Sequence, residues 1–216
     1  MIQDFENIHS NETCLIIGNG PGLGDIPIWF LESYPSLGSN LIYRLENFKP
    51  TYYAAIDRRV KLFYDEEAPE YYRDIPTFVP EPKLGKWKGD NVHHFRQSSR
   101  YLFPNPKAGR LFPRSFLTEE GITYSTVTHL LLQLAYFMGF TTMLCVGLDN
   151  TDDGKHFYGP DKARPNTLNW DKGYAILREG FIPRKIINIS TRTKVKSLPR
   201  DDWRNYIVTE KHTKTA

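Results

Sequence analysis

The sequence predicts a single α/β domain, with an open, mostly parallel, Rossmann-like sheet and helices on both faces. Two segments predict it. A short apolar run, Thr13 to Ile17, ends in Gly18-Asn19-Gly20-Pro21-Gly22-Leu23-Gly24 and leads into the helix-like IPIWFLESY. Farther on, Val127, Leu130, Leu131, Leu134, Ala135 and Met138 follow the spacing of one helix face and run into the strand-like TTMLCVG. Strand-like and helix-like segments therefore alternate along the chain, the order that parallel sheets require.

The first strand is apolar throughout, as expected of a strand covered on both faces. A helix is expected from about Asp25, with that carboxylate as N-cap and Pro27 in the first turn. A second unit follows: GSNLIYRL, a turn at Pro50, then YYAAID, which reads as a strand ending at Asp57. Residues 66–115 are rich in Pro, Tyr, Lys and Arg, and the short runs PTFVP and NVHHF predict one or two minor strands between long loops. Gly139 ends the periodic helix; Leu132, Tyr136 and Phe137 lie off its stripe, so it is expected to be buried on more than one side. The next strand ends at Gly147-Leu148-Asp149-Asn150. A polar loop with His156-Phe157-Tyr158-Gly159, a helix around Trp170 to Arg178 and the apolar KIINIS complete the domain. The expected boundaries are an N-terminal extension over 1–12, the domain over 13–195 and a basic, polar C-terminal tail over 196–216.

With 216 residues, 40% hydrophobic and 14% aromatic, the chain is long enough to bury a sizeable core. A formal charge of +3 is far from the concentrated positive surface that duplex binding needs, so a small anionic ligand is expected rather than a nucleic acid. One basic stretch, from Lys83 to Arg110, is interleaved with aromatics; its prolines and glycines break any regular face, so it reads as a solvated loop region before a nucleic-acid groove, with phosphate steering as a further role. Cys14 and Cys145 sit in apolar runs and read as small core residues. The first twelve residues hold no apolar signal core, and no run approaches a membrane span, so a cytoplasmic, reduced protein is expected. A homo-oligomer is compatible with this composition.

The glycine-rich turn is the strongest functional clue, because backbone without Cβ atoms can approach a phosphate and present N–H groups at a helix start. It is not the dinucleotide fingerprint, which needs glycine at Leu23, nor a Walker A loop, which ends in Gly-Lys-Ser/Thr. A tight turn with no ligand is the alternative. In an open α/β sheet ligands bind beyond the carboxyl ends of the strands, so the turn and Asp57 are expected to face one cleft. Asp57 and Asp149 either hold Mg²⁺ against a phosphate chain or cap the following helices. His156 is either a general base or a loop histidine bonded to backbone. His129 is expected to pack on the buried helix and His93-His94 to alternate across a short strand. The histidines and cysteines show no metal-ligand spacing.

The segments IIGNGPGL, GSNLIY, PTYYAAID, ITYSTVTHLLLQLAYFMGF and LCVGLDN with HFYG together resemble the MptE-like group. That group is named for an archaeal 6-hydroxymethylpterin pyrophosphokinase and occurs in bacterial surface-glycan loci and phages. The resemblance spans about Cys14 to Ser190. More distantly, the chain is similar to bacterial CMP-sialic-acid-dependent sialyltransferases, which open with a strand and a GNGPS turn. The resemblance implies that Asn19 and Gly20, within the turn formed with Gly18 and Gly22, contact phosphate or ribose. It also implies a donor-site role for Asn40, nucleotide contacts for Ser125 and Thr126, and positions near the transferred phosphate for Asp149 and Tyr158. Asp57 stands where those enzymes have asparagine and Gly22 where they have serine. Their catalytic histidine has no counterpart in Ala163 to Asn169, which leaves His156 as the candidate base. Three functions follow: a nucleotide-sugar glycosyltransferase needing no cofactor, an Mg²⁺- and ATP-dependent pyrophosphokinase acting on a pterin-like alcohol, and a non-catalytic nucleotide-binding or phage assembly protein.

Overall fold

Thr13–Ile17 forms β1, the strand on which the domain is organised. The computed structural model describes residues 2–56, 60, 67, 70–80, 87, 89–95, 126–151, 153–160 and 167–208. Asp57 and Ser125 lie outside these residues, as does much of the 66–115 stretch.

β1 is followed by β2 (Ser36–Ser39), β3 (Tyr52–Ala54), β4 (Thr77–Pro80), β5 (Val92–Phe95), β6 (Thr142–Val146), the short pair β7 (Lys155–His156) and β8 (Gly159–Pro160), and β9 (Lys185–Asn188). The main sheet has seven strands in the order β5-β4-β3-β2-β1-β6-β9. Every neighbouring pair in it is parallel. This is the open Rossmann-like α/β sheet that the alternating pattern predicts. β7 and β8 form a separate antiparallel pair.

Alternation along β1 divides its side chains between two cores. Cys14 and Ile16 join Met143, Cys145 and the leucines of α2 (Val127–Met138), with Tyr174 and Leu177 of α3 (Thr167–Gly180). Leu15 and Ile17 face the other way, onto Leu23 and onto Phe30 and Leu31 of α1 (Ile28–Glu32). Helices thus cover both faces, and both cysteines are buried free thiols. Every α2 residue but Tyr136 is buried, which explains why its apolar residues overflow a single stripe. Gly139 ends α2 in the left-handed region, at φ 99°. The core histidine prediction holds: His129 on α2 is fully buried.

The expected helix start at Asp25 is corrected. Residues Pro21–Asp25 form a 3₁₀ turn, and α1 spans only five residues, with Pro27 rather than Asp25 at its N-cap. The Asp25 carboxylate instead accepts both guanidinium N–H groups of Arg192, at 2.8 and 2.7 Å, and the Thr191 hydroxyl. A bidentate, charge-assisted pair outcompetes a single cap bond. The chain after residue 195 stays on the domain: Leu198 and Trp203 are buried, and Arg200 bridges to Asn188. No helix among the described residues is long and apolar enough to cross a membrane.

Candidate functional site

β1 pairs with β2 on one side and with β6 on the other, so the chain leaves β1 in one direction and returns at β6 in the opposite one. The crevice beyond the carboxyl ends of two such strands is where open α/β sheets bind ligands. A cleft lies there, with about 680 Å³ of space counted out to its open mouth. Gly18 to Gly20 line it from β1, Ser39 and Asn40 from β2, and Gly147 to Thr151 from β6. Thr126 to Thr128 at the start of α2, Gly154 to His156 and Trp170 complete the described wall.

The glycine turn is built around Asp149. A Cβ on Gly20 would lie 2.6 Å from Asp149 Oδ2, and one on Gly22 would lie 2.8 Å from Oδ1. The Gly22 N–H donates to Asp149 Oδ2 at 2.5 Å. Gly18 N–H donates to Val146, Gly20 N–H to Gly147 and Leu23 N–H to Gly20. Four amides of the turn are therefore spent on the protein's own acceptors. Gly147, at φ 61°, faces Gly18 so closely that a Cβ on Gly18 would sit 2.5 Å from the Gly147 carbonyl oxygen. Asp149 is 1% exposed. Burial raises its pKa above the ordinary aspartate value, and the Gly22 N–H opposes that shift.

Asn19 is also buried, and its Nδ2 donates to the Ser39 carbonyl at 3.0 Å. Its own carbonyl accepts the Phe157 N–H at 3.1 Å, and His156 Nδ1 lies 3.2 Å from the same oxygen, a contact in which the ring nitrogen must donate. His156 stacks on Tyr158, with ring centroids 5.0 Å apart, and the Arg44 guanidinium lies 5.3 Å from the Tyr158 ring centroid. Asn40 is left-handed at φ 53°, and its carbonyl accepts the hydroxyls of Tyr53 at 2.9 Å and Tyr72 at 3.1 Å.

Four buried polar atoms around this cleft have no hydrogen-bond partner: Asn19 Oδ1, Asn40 Oδ1, Asp149 Oδ1 and Asn150 Nδ2. Each such group costs on the order of 1–3 kcal/mol when left unpaired. Their collection in one crevice marks a place shaped for a polar ligand.

The structure thus brings Gly18, Asn19, Gly20, Asn40, Thr126, Asp149 and His156 to one cleft. Gly22 stands behind Asp149, and Tyr158 backs His156. Asp57 and Ser125 lie outside the described residues. Among the described residues, no group of three His, Cys, Asp or Glu side chains is arranged to hold a metal ion. Sequence reasoning missed Ser39, Asn150, Lys155 and Trp170 as wall residues. Asn150 was the accessible one, since it directly follows Asp149 at the strand end.

No protein-family model and no curated protein matches the chain. Among solved structures it is similar to the MAf glycosyltransferase from Magnetospirillum magneticum AMB-1, with a TM-score of 0.60 and 12% identity, over 96% of this chain and 38% of that one. The chain therefore spans less than two fifths of that protein's length, and what the two share is the fold: an open α/β sheet that also occurs in a protein named as a glycosyltransferase.

Proposed function

We propose that the chain is a nucleotide-dependent transferase, a glycosyltransferase taking a nucleotide-sugar donor of the CMP-sugar type and serving surface-glycan or phage-related modification. The observation that carries this reading is the set of four unpartnered polar atoms around the cleft where the strand order reverses. The shared fold with a named glycosyltransferase supports it, as does the resemblance of the GNGPGL turn.

In this reading Asn19, Asn40, Asn150 and Thr126 hold the nucleotide. His156 gives its Nδ1–H to the Asn19 carbonyl, so Nε2 is the basic nitrogen of the neutral ring. An acceptor hydroxyl attacks the anomeric carbon, its proton passes to Nε2, and the bond from that carbon to the donor phosphate oxygen breaks. Lys155, at the cleft wall, meets the charge that develops on the departing phosphate.

Thermal denaturation with ligands tests the reading. CMP or another nucleoside monophosphate at about 100 times Kd should stabilise the fold by roughly 2.7 kcal/mol without metal. For a domain of this size that is a Tm rise of about 5–10 °C. His156→Ala should keep that rise and lose about a hundredfold or more in turnover; full turnover in the variant removes the base assignment. Stabilisation by ATP only with Mg²⁺ would favour the pyrophosphokinase instead, for which the unpartnered Asp149 Oδ1 is a suitable hard ligand. Silence to every nucleotide would favour the non-catalytic protein.

A further inference from the structure

The floor of the cleft has a definite hydrogen-bond polarity. Asn19 has its amide orientation fixed, because Nδ2 donates to the Ser39 carbonyl, so Oδ1 is the atom left over. Asp149 has one oxygen fixed by the Gly22 N–H, so its Oδ1 is likewise left over. Asn19 is 8% exposed and Asp149 1%, and both line the cleft. The two orphaned atoms are both acceptors, and one belongs to a carboxyl group. A phosphate brings only acceptor oxygens and negative charge, and so is repelled from this floor. The amides that would otherwise receive it, those of Gly18, Gly20 and Gly22, already donate within the protein. A ring hydroxyl both donates and accepts: it can satisfy Asp149 Oδ1 or Asn19 Oδ1 and receive from the Asn150 side chain, which otherwise faces only the Tyr174 hydroxyl. The cation at the cleft stands instead on the wall: the Lys155 ammonium, exposed and paired with Asp153 at 3.0 Å, can turn to a phosphate there.

We propose that this floor receives the hydroxyl-bearing ring of the ligand, with the phosphate held at the wall by Lys155, and that Asp149 and Asn19 are the acceptors that select adjacent hydroxyls. The proposal rests on the nucleotide reading above and reverses the expectation that the glycine turn grips phosphate. The ring is either the ribose of the nucleotide or the sugar attached to it.

Titration calorimetry on the full chain tests this with CMP, 2′,3′-dideoxy-CMP, glucose and inorganic pyrophosphate, on the wild type and on Asp149→Asn. The Gly22 N–H still needs an oxygen in the variant, so the amide NH₂ turns toward the cleft and an acceptor becomes a donor at constant volume. With the ribose on the floor, CMP affinity should fall about tenfold or more in Asp149→Asn, and with the attached sugar there it is glucose affinity that should fall, while pyrophosphate affinity holds or rises in either case. A variant that is merely damaged loses both. In the wild type, dideoxy-CMP binding about tenfold or more weaker than CMP places the ribose on the floor. Dideoxy-CMP equal to CMP, with glucose competing, places the attached sugar there; both results support the proposal. Glucose binding without any nucleotide binding supports the floor assignment and sinks the nucleotide reading. CMP and dideoxy-CMP binding equally, displaced by pyrophosphate and not by glucose, overturns the proposal and leaves the nucleotide reading standing. A wholly silent panel overturns both.

Discussion

Acidification should loosen the wall of the cleft through one residue, His129. Its ring is fully buried between α2 and α3, with Nε2 3.1 Å from the Trp170 carbonyl and the ring edge-on to Tyr174 at 4.5 Å. It presses on Gly173 so closely that a Cβ there would lie 2.3 Å from Cε1. Burial lowers its pKa from 6.5 to about 4, and the Trp170 carbonyl offsets only part of that. Because the folded pKa is depressed, the unfolded chain takes the proton first. The contribution to stability is whole above the unfolded value and is lost as pH falls toward about 4. The drop from 6.5 to about 4 amounts to about 3 kcal/mol in full, of which about 2 kcal/mol is gone at pH 5. That is a large share of a stability of roughly 5–15 kcal/mol. Urea unfolding of the wild type and of His129→Gln, whose amide can still donate to Trp170 but does not titrate, isolates the term. Between pH 7.5 and 5 the wild type should lose about 2 kcal/mol more than the variant. Parallel losses in the two proteins would refute the argument.

Two further substitutions check the glycine turn and its neighbour. Gly18→Ala should cost about 1–3 kcal/mol by overpacking, because its Cβ would meet the Gly147 backbone at 2.5 Å. Gly24→Ala, with nothing within 4 Å of its Cβ, should be neutral or slightly stabilising; equal Tm losses for the two would contradict the packing described for the turn. Asp25→Asn should cost under about 1 kcal/mol at neutral pH and low salt, since its pair with Arg192 is largely exposed. The Arg192 and Thr191 hydrogen bonds lower the Asp25 pKa, so this contribution is present above the ordinary carboxylate range and disappears as pH falls through the lowered value. A loss of several kcal/mol would mean that the pair carries the turn.

The parts of the fold that could be read from the sequence are those whose signal is local. β1, β4 and β6 coincide with short apolar runs, and α2 with a stripe at helical spacing, because burial on both faces leaves a dense apolar record; β5, the edge strand VHHF with only Phe95 buried, shows it more faintly. β2 gave a weaker record: its four residues are SLGS, with two serines and a glycine, and it is a strand because Leu37 and its neighbours pair with β1 and β3. Asp25 carried a capping pattern, but its partner Arg192 is 167 residues away and no local reading weighs that competitor. The position of the cleft was also legible, since a glycine turn after a first strand fixes where a parallel sheet opens. What the turn is for was not. Its third glycine meets a carboxylate 127 residues later, and only the folded chain shows that Gly20 and Gly22 are small to make room for Asp149.

That contact changes how the turn and the GLDN strand end should be understood, because they form one device rather than two. β1 and β6 run in register from Thr13 and Thr142 to Ile17 and Val146, and the backbone continues past them with Gly18 N–H on Val146 and Gly20 N–H on Gly147. The crevice is therefore closed at its base by main chain against main chain, which only glycine at 18 permits. Above that base, Asp149 is held by Gly22 and Asn19 by Ser39, so neither orphaned oxygen can swing to a new partner without breaking a bond already made. Folding itself thus bears the cost of desolvating these acceptors, and a ligand that donates to them recovers it without ordering any side chain. A site of that kind gains selectivity more from rejecting the wrong polarity than from the number of contacts it makes, since a mismatched group would leave two buried acceptors facing a third.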